Sequence, residues 1–278
     1  MVDSSKKTCS QILIFTDLDG TLLDNQTYDF NPALPALKLI HSLKIPLILV
    51  SSKTRSEIEF LRNRLSLEDP FIAENGGGIF FPATFTLPRD YPYEMVDGYN
   101  AISTGRPIKE VLKRSSMLKE NFAFRGFSEM PVEEIAAMTG LTLEQAILAS
   151  KREFDEPIVL ENPLDDREMF CKKASDLGLD CVRGGRFVHL FLGSNKGRAV
   201  EIVLNIYREL TGPLFSIALG DSPNDFPMLE AVDKAVLVHD RDGTYMKALV
   251  HPDLIRVDGG GPAAWNKVML AILADIPV

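Results

Sequence analysis

Ile12, Leu13, Ile14 and Phe15 form an unbroken apolar run that leads, through Thr16, into Asp17-Leu18-Asp19-Gly20-Thr21-Leu22. A short continuous apolar run is the pattern of a central parallel strand with helices covering both faces. In an open α/β sheet, sites form outside the carboxyl ends of the strands. Two carboxylates two residues apart at such an end can therefore face one crevice.

The segments that follow extend this grammar. Pro32–Leu43 carries Leu34, Leu37, Ile40 and Leu43 at helical spacing, and Pro46–Val50 reads as a second buried strand. Thr54–Leu65 is again helical, and Phe71–Ala73 is a short third strand. Strand–helix–strand–helix–strand is the order of an open parallel sheet. Pro82, Pro88 and Pro92 then mark a boundary. From residue 84 to residue 192 the chain reads as an inserted α+β unit. Its expected helices are Pro107–Lys119 and Thr142–Phe154, and its expected strands are Ile158–Leu160, Asp180–Arg183 and Arg186–Phe191. Glu129–Glu134 reads as a helix start.

The parallel-sheet order returns with helix Lys196–Leu210, strand Phe215–Leu219, helix Phe226–Val232, strand Ala235–Val238 and helix Trp265–Leu273. The expected fold class is α/β: a Rossmann-like parallel sheet core from residues 11–83 and 193–278, with an inserted α+β domain over 84–192. Residues 1–10 are expected to be a disordered tail.

Composition narrows the function. At 278 residues and a net charge of −9, the chain has ample length for a buried core and a poor surface for a nucleic-acid backbone. Its polar first ten residues have no apolar signal segment, and no apolar run approaches the roughly 20 residues that span a bilayer. The expected location is the cytoplasm, with no membrane or nucleic-acid partner. Cys9, Cys171 and Cys181 are odd in number and lack CxxC spacing, so they read as reduced thiols. No pattern specifies an oligomeric state.

The chemistry lies at the strand ends. Of the pair Asp17 and Asp19, one carboxylate can attack phosphorus while the other donates a proton to the leaving oxygen. Gly20 permits the tight turn. Gly220-Asp221-Ser222-Pro223-Asn224-Asp225 follows another apolar strand and offers Asp221 and Asp225, oxygen ligands suited to a hard cation such as Mg²⁺. The same residues also make ordinary helix caps. Ser51-Ser52-Lys53-Thr54 follows the second strand, where a hydroxyl and backbone N–H groups can hold a phosphoryl oxygen or simply cap a helix. Lys196 opens a helix and can neutralise charge on a transferring phosphate, or be a solvated lysine. His189, inside an expected strand, reads as structural.

These four motifs, in this order, resemble the haloacid dehalogenase superfamily of phosphohydrolases. The resemblance implies Asp17 as nucleophile, Asp19 as acid/base, Ser51 (with Ser52 a competing register) and Lys196 as phosphate-stabilising groups, and Asp17, Asp19, Asp221 and Asp225 around Mg²⁺, with Asn224 in support. An insert between the second and third motifs resembles a type IIB cap. Within the superfamily, Ser51-Ser-Lys-Thr-Arg55, Ala73-Glu-Asn-Gly-Gly77, Arg152-Glu-Phe-Asp-Glu-Pro157 and Arg183-Gly-Gly-Arg-Phe187 resemble mannosyl-3-phosphoglycerate phosphatases.

That likeness implies a small sugar-phosphate substrate and a place in mannosylglycerate synthesis, a compatible-solute pathway. Substrate contacts are then expected from Ser52, Lys53, Glu74, Asn75, Arg183, Arg186 and Asn224. Arginine forks suit the carboxylate of such a substrate. A phosphatase for another sugar phosphate, a phosphomutase and a non-catalytic binding module are the competing readings. The first two differ in whether water or a sugar hydroxyl receives the phosphoryl group.

Overall fold

The computed structural model describes residues 11–161, 167–184, 187–193, 195–238 and 249–275, with residues 183 and 184 described by backbone alone. The expected tail at residues 1–10, Cys9 and Arg186 lie outside the described residues.

The first strand, β1 (Gln11–Thr16), is followed by α1 (Leu34–Ser42), β2 (Leu47–Val50), α2 (Arg55–Leu65) and β3 (Phe71–Ala73). The boundaries of β3 coincide with the expected ones, and β1 contains the whole apolar run Ile12–Phe15. Thr54 caps α2 as the sequence suggests: its side chain accepts from Glu57 N while the Glu57 carboxylate accepts from Thr54 N. The chain then turns back through β4 (Gly78–Pro82), β5 (Glu94–Val96) and β6 (Tyr99–Ser103).

The inserted unit contains α3 (Ile108–Ser115), β7 (Phe124–Gly126), α4 (Val132–Thr139), α5 (Leu143–Ala149), β8 (Asp155–Leu160), α6 (Arg167–Asp176), β9 (Asp180–Gly184) and β10 (Phe187–Phe191). The chain closes with α7 (Lys196–Thr211), β11 (Leu214–Gly220), α8 (Phe226–Glu230), β12 (Lys234–Val238), β13 (Leu254–Val257) and α9 (Gly261–Asp275).

Nine strands form the large sheet in the order β13-β12-β11-β1-β2-β3-β4-β6-β5. From β13 to β3 the neighbours are parallel, and from β3 onward they are antiparallel. The chain winds outward from β1 to one side, then returns to build the other side from β11. β1 is thus the point where winding reverses, and the crevice outside its carboxyl end is the expected ligand position in such a sheet. The register places Thr16 beside Leu219, so the residues after β1 and β11 emerge next to each other. Helices cover both faces. Ile14, Ile217 and Trp265 pack on one, and Phe15, Val200 and Met228 on the other.

A second, antiparallel sheet in the order β7-β8-β10-β9 belongs to the insert. Ile158, Val188 and Leu190 pack with Val111 of α3 and Phe170 of α6 on one face. Val159 and Phe187 pack with Ile135 of α4 and Ala146 of α5 on the other.

Three expectations need correction. β5 and β6 lie in the segment assigned to the insert, yet they hydrogen-bond into the large sheet next to β4. The proline cluster therefore interrupts that sheet and does not end it. The helix expected over Thr142–Phe154 stops at Ala149. Its last residues instead lead into β8, whose ladder to β10 begins at Asp155. The cysteines were read as reduced, but Cys171 and Cys181 form a disulfide, with Cα atoms 5.4 Å apart. The turn from α6 into β9 brings them together, although they stand ten positions apart in the sequence. No helix among the described residues is long and apolar enough to cross a membrane.

Trp265 is fully buried, and its Nε1 donates to Thr16 Oγ1 at 3.0 Å. It joins α9 to the end of β1. Trp265→Ala is expected to cost about 3–5 kcal/mol through the cavity it leaves. Trp265→Phe should cost about 1 kcal/mol, chiefly from the lost bond to Thr16 Oγ1, which still donates to Asp17 O at 2.8 Å. Urea titration followed by far-ultraviolet circular dichroism measures both.

Candidate active site

Asp17 follows β1, and its N–H donates to Leu219 O of β11 at 2.9 Å. That bond fixes the residue between the two strand ends. Lys196, the first residue of α7, points into the same place. Its ammonium is 1% exposed and donates to Asp17 Oδ1 at 2.5 Å and to Asp225 Oδ1 at 2.6 Å. The helix start is fixed from two sides. Asn195 caps α7 through Oδ1, which accepts from Arg198 N at 2.9 Å. Gly76, at φ +92°, lets the loop after β3 press on it, because a Cβ there would lie 2.3 Å from Asn195 O.

Asp225 is fully buried and bridges two jobs. One oxygen takes Lys196, while the other accepts the N–H groups of Asp221 (3.1 Å) and Ser222 (3.0 Å). This shapes the loop after β11 and sets Asp221 opposite Asp17. Gly20 completes the crevice: at φ +84° it has no side chain where a Cβ would lie 2.4 Å from Asp221 Oδ2.

Asp17, Asp221 and Asp225 each place a carboxylate oxygen within 4.8 Å of the others. Burial, reinforced by Asp225, pushes the Asp17 carboxyl up to about 7. Burial, with Asp17 and Asp225 beside it, pushes Asp221 up to about 9. Burial disfavours the Lys196 ammonium, but Asp17 and Asp225 outweigh it and keep the lysine charged. Three clustered carboxylates against one ammonium leave an excess of negative charge, and all the donors are hard oxygens. That set fits a divalent cation. Asp19 stands beside this set: its Oδ1 is buried without a hydrogen-bond partner among the described residues, while Oδ2 pairs with Lys53 Nζ at 2.8 Å.

The other sequence candidates divide. Ser51 is buried at the end of β2, and its Oγ accepts from Lys53 N at 3.2 Å. Ser52 turns its carbonyl to Arg152 Nη1 at 2.7 Å. Asn224 Nδ2 donates to Asn75 Oδ1 at 3.3 Å, joining the loop after β11 to the loop after β3. The Arg183 side chain and all of Arg186 lie outside what the structure describes.

Glu74 is used differently from the expectation that it meets substrate hydroxyls. Its carboxylate accepts the backbone N–H groups of Glu153 (2.9 Å), Phe154 (2.8 Å) and Asp155 (2.8 Å). It therefore clamps the chain where the insert enters β8. Burial pushes its carboxyl up to about 8.

A buried polar set beside this clamp was not foreseen as a unit. Asp155 receives Asn75 Nδ2 at 2.8 Å and Arg152 Nη1 at 3.0 Å, and His189 Nδ1 lies 2.8 Å from it. Burial alone would raise the Asp155 carboxyl, but His189 and Arg152 hold it below the usual range. Its members come from two segments, Ala73–Gly77 and Arg152–Pro157, and from β10, and no spacing in the sequence links them.

Comparison with known proteins agrees with this geometry. Residues 14–87 match the family described as haloacid dehalogenase-like hydrolase. The chain is 38% identical over 267 residues to a glucosyl-3-phosphoglycerate/mannosyl-3-phosphoglycerate phosphatase of Persephonella marina, covering 95% of this chain and 98% of that one. The chain belongs to the haloacid dehalogenase-like hydrolase family.

A Methanococcoides burtonii protein of the same name is 37% identical over 268 residues, covering 94% of this chain and 97% of the relative. A solved haloacid dehalogenase subclass IIB sugar phosphatase superposes with a TM-score of 0.62 at 15% identity, covering 95% and 98% of the two chains. That likeness speaks for the fold. The expectation of a phosphatase of this family holds.

The raised carboxyls make a stability prediction. Between about pH 4 and their folded values, Asp17 and Asp221 hold protons that the unfolded chain has already released. The unfolded state then binds fewer protons, so these groups lower the stability of the metal-free protein as pH rises through that window. The urea midpoint of chelator-treated protein is expected to fall from pH 5 to pH 8. Asp221→Asn should shrink the fall, and saturating Mg²⁺ should reverse it.

Proposed function

We propose that the protein is a Mg²⁺-dependent phosphomonoesterase that removes the phosphate of mannosyl-3-phosphoglycerate or its glucosyl analogue through an aspartyl-phosphate on Asp17. The carrying observation is the Asp17 carboxylate held by a buried lysine at the reversal point of the sheet, opposite Asp221. The choice of substrate draws on the two relatives that share over a third of their residues with nearly the whole chain.

Asp17 lies across from Asp221 at the strand ends, so a phosphoryl group bound there stands beside its carboxylate. An Asp17 oxygen attacks phosphorus as the ester P–O bond breaks. Asp19 gives a proton to the departing oxygen. In the second half, Asp19 takes a proton from water, whose oxygen attacks phosphorus and releases inorganic phosphate with the Asp17 carboxylate restored.

Lys196 fixes the attacking carboxylate in one orientation and sets positive charge beside the phosphoryl oxygens. Ser51, with the N–H groups at the start of α2, offers donors to the same oxygens. Asp17, Asp221, Asp225 and the Asp19 carbonyl would hold Mg²⁺, which supplies further positive charge to the transferring group. The type IIB cap covers the crevice and excludes bulk water.

Product mannosylglycerate, a compatible solute, follows from the same reading. A small-molecule substrate also suits a chain of net charge −9.

Phosphate release from mannosyl-3-phosphoglycerate, glucosyl-3-phosphoglycerate and mannose 6-phosphate tests the proposal. Both glycosyl phosphoglycerates are expected to exceed the hexose phosphate by at least tenfold in kcat/KM, with activity lost on chelation and restored by Mg²⁺. Asp17→Asn should lower kcat by at least ~10⁴-fold while the protein stays folded, as loss of a covalent nucleophile does. Substantial activity in that variant would sink the nucleophile assignment.

A further inference from the structure

Two lysines reach the candidate site, each from the start of a helix, and each holds its own aspartate. Lys196 opens α7 and donates to Asp17. Lys53 stands just before α2, and its ammonium lies 2.8 Å from Asp19 Oδ2. The first pair belongs to the nucleophile. The second belongs to the residue that gives a proton to the departing oxygen.

Lys53 is fixed through both its backbone and its side chain. Its N–H donates to Ser51 Oγ at 3.2 Å, and its carbonyl accepts from Glu74 N at 3.0 Å, so the main chain is tied to the ends of β2 and β3. The side chain is only 13% exposed, and its ammonium lies 4.8 Å from the centre of the Tyr28 ring. Tyr28 stands there with φ +55°, a costly backbone conformation for a bulky residue. Strain of this kind persists where the surrounding structure enforces it, and it gathers at functional sites. Glu57 is a second carboxylate near the ammonium, at 3.8 Å. It is farther away, and its other oxygen already accepts from Thr54 N at 2.9 Å, so Asp19 is the stronger partner.

Asp19 has few holds of its own. Its side chain is 32% exposed, and the residue after it, Gly20, takes φ +84°. Oδ2 meets Lys53, while Oδ1 is buried and meets no hydrogen-bond partner among the described residues. Asp17 and Asp221 both feel the Asp19 charge, so a further acid beside them needs an ammonium to settle it. An ion pair with a fixed and largely buried lysine selects one orientation of a short side chain that nothing else anchors.

We propose that Lys53 is a positioning residue for the proton transfer: it holds Asp19 Oδ2 and so leaves Oδ1 as the oxygen that carries the proton to the leaving group. Oδ2 accepts from the ammonium while Oδ1 bears the hydrogen, so the pairing and the acid form coexist. In the step, the Oδ1–H bond breaks and an O–H bond forms on the departing oxygen as the ester P–O bond breaks. The inference rests on the phosphomonoesterase reading, and it gives Lys53 a role other than the substrate contact expected of it.

A series of substituted phenyl phosphates provides the test, because its members share one shape and differ in how much the leaving group needs a proton. General acid assistance is worth about 10²–10⁴-fold, so Lys53→Met is expected to lower kcat/KM at least ~30-fold for phenyl phosphate and less than ~3-fold for p-nitrophenyl phosphate. In an Asp19→Asn background, which has no proton to deliver, Lys53→Met is expected to cause no further loss. Lys53→Gln takes its place if the methionine variant misfolds by circular dichroism. An equal loss across the series, or a further loss on top of Asp19→Asn, would overturn the positioning role alone. Wild-type rates on phenyl phosphate in Asp19→Asn, or no phosphate release by the wild type from any ester, would overturn the phosphatase reading and the inference with it.

Discussion

A lysine ammonium shut away from water between two carboxylates organises the centre of this molecule. Lys196 is 1% exposed, and it reaches Asp17 from β1 and Asp225 from the loop after β11. Removing one partner of a buried pair leaves an uncompensated charge, which is strongly destabilising. Each of the three residues therefore depends on the others for its place. Asp225 passes the order on, since its second oxygen shapes the loop that carries Asp221. The position of the clustered carboxylate oxygens is thus a consequence of where one helix begins.

The same arrangement leaves a charge imbalance suited to chemistry. A lone ammonium does not neutralise three acids in a dry crevice, so the site favours added positive charge. Protonation and fold stability are coupled here through the carboxyls that burial has pushed up. Catalytic crevices commonly hold such perturbed acids. In this one the perturbation comes from burial first and from neighbouring carboxylates second.

Much of the candidate site is legible in the sequence because its members sit in short segments with their own local logic. Asp17 and Asp19 follow an apolar strand, Asp221 and Asp225 follow another, and Lys196 opens a helix. Residues that act through distant partners were not legible in the same way. Glu74 looked like a substrate contact, but its bonds run to residues 153–155, and no spacing rule connects segments that far apart. The disulfide was missed because the odd cysteine count suggested free thiols, while the turn joining α6 to β9 decides the pairing. The parallel core strands announced themselves as apolar runs. β5 and β6 did not, because their membership in the large sheet depends on pairing with β4 across a proline-rich connection.

The Glu74 clamp bears on how such enzymes could diversify. A carboxylate of the core holds the main-chain N–H groups of three consecutive insert residues, so it grips the backbone whatever side chains those residues carry. Its neighbour Asn75 is more demanding: it reaches an insert carboxylate, Asp155, and a loop residue of the core, Asn224. The junction combines a sequence-blind grip with a sequence-specific one. A lid transplanted from a relative would find its seat through the first, and would share alignment with the reaction centre only if it brought an aspartate to the second.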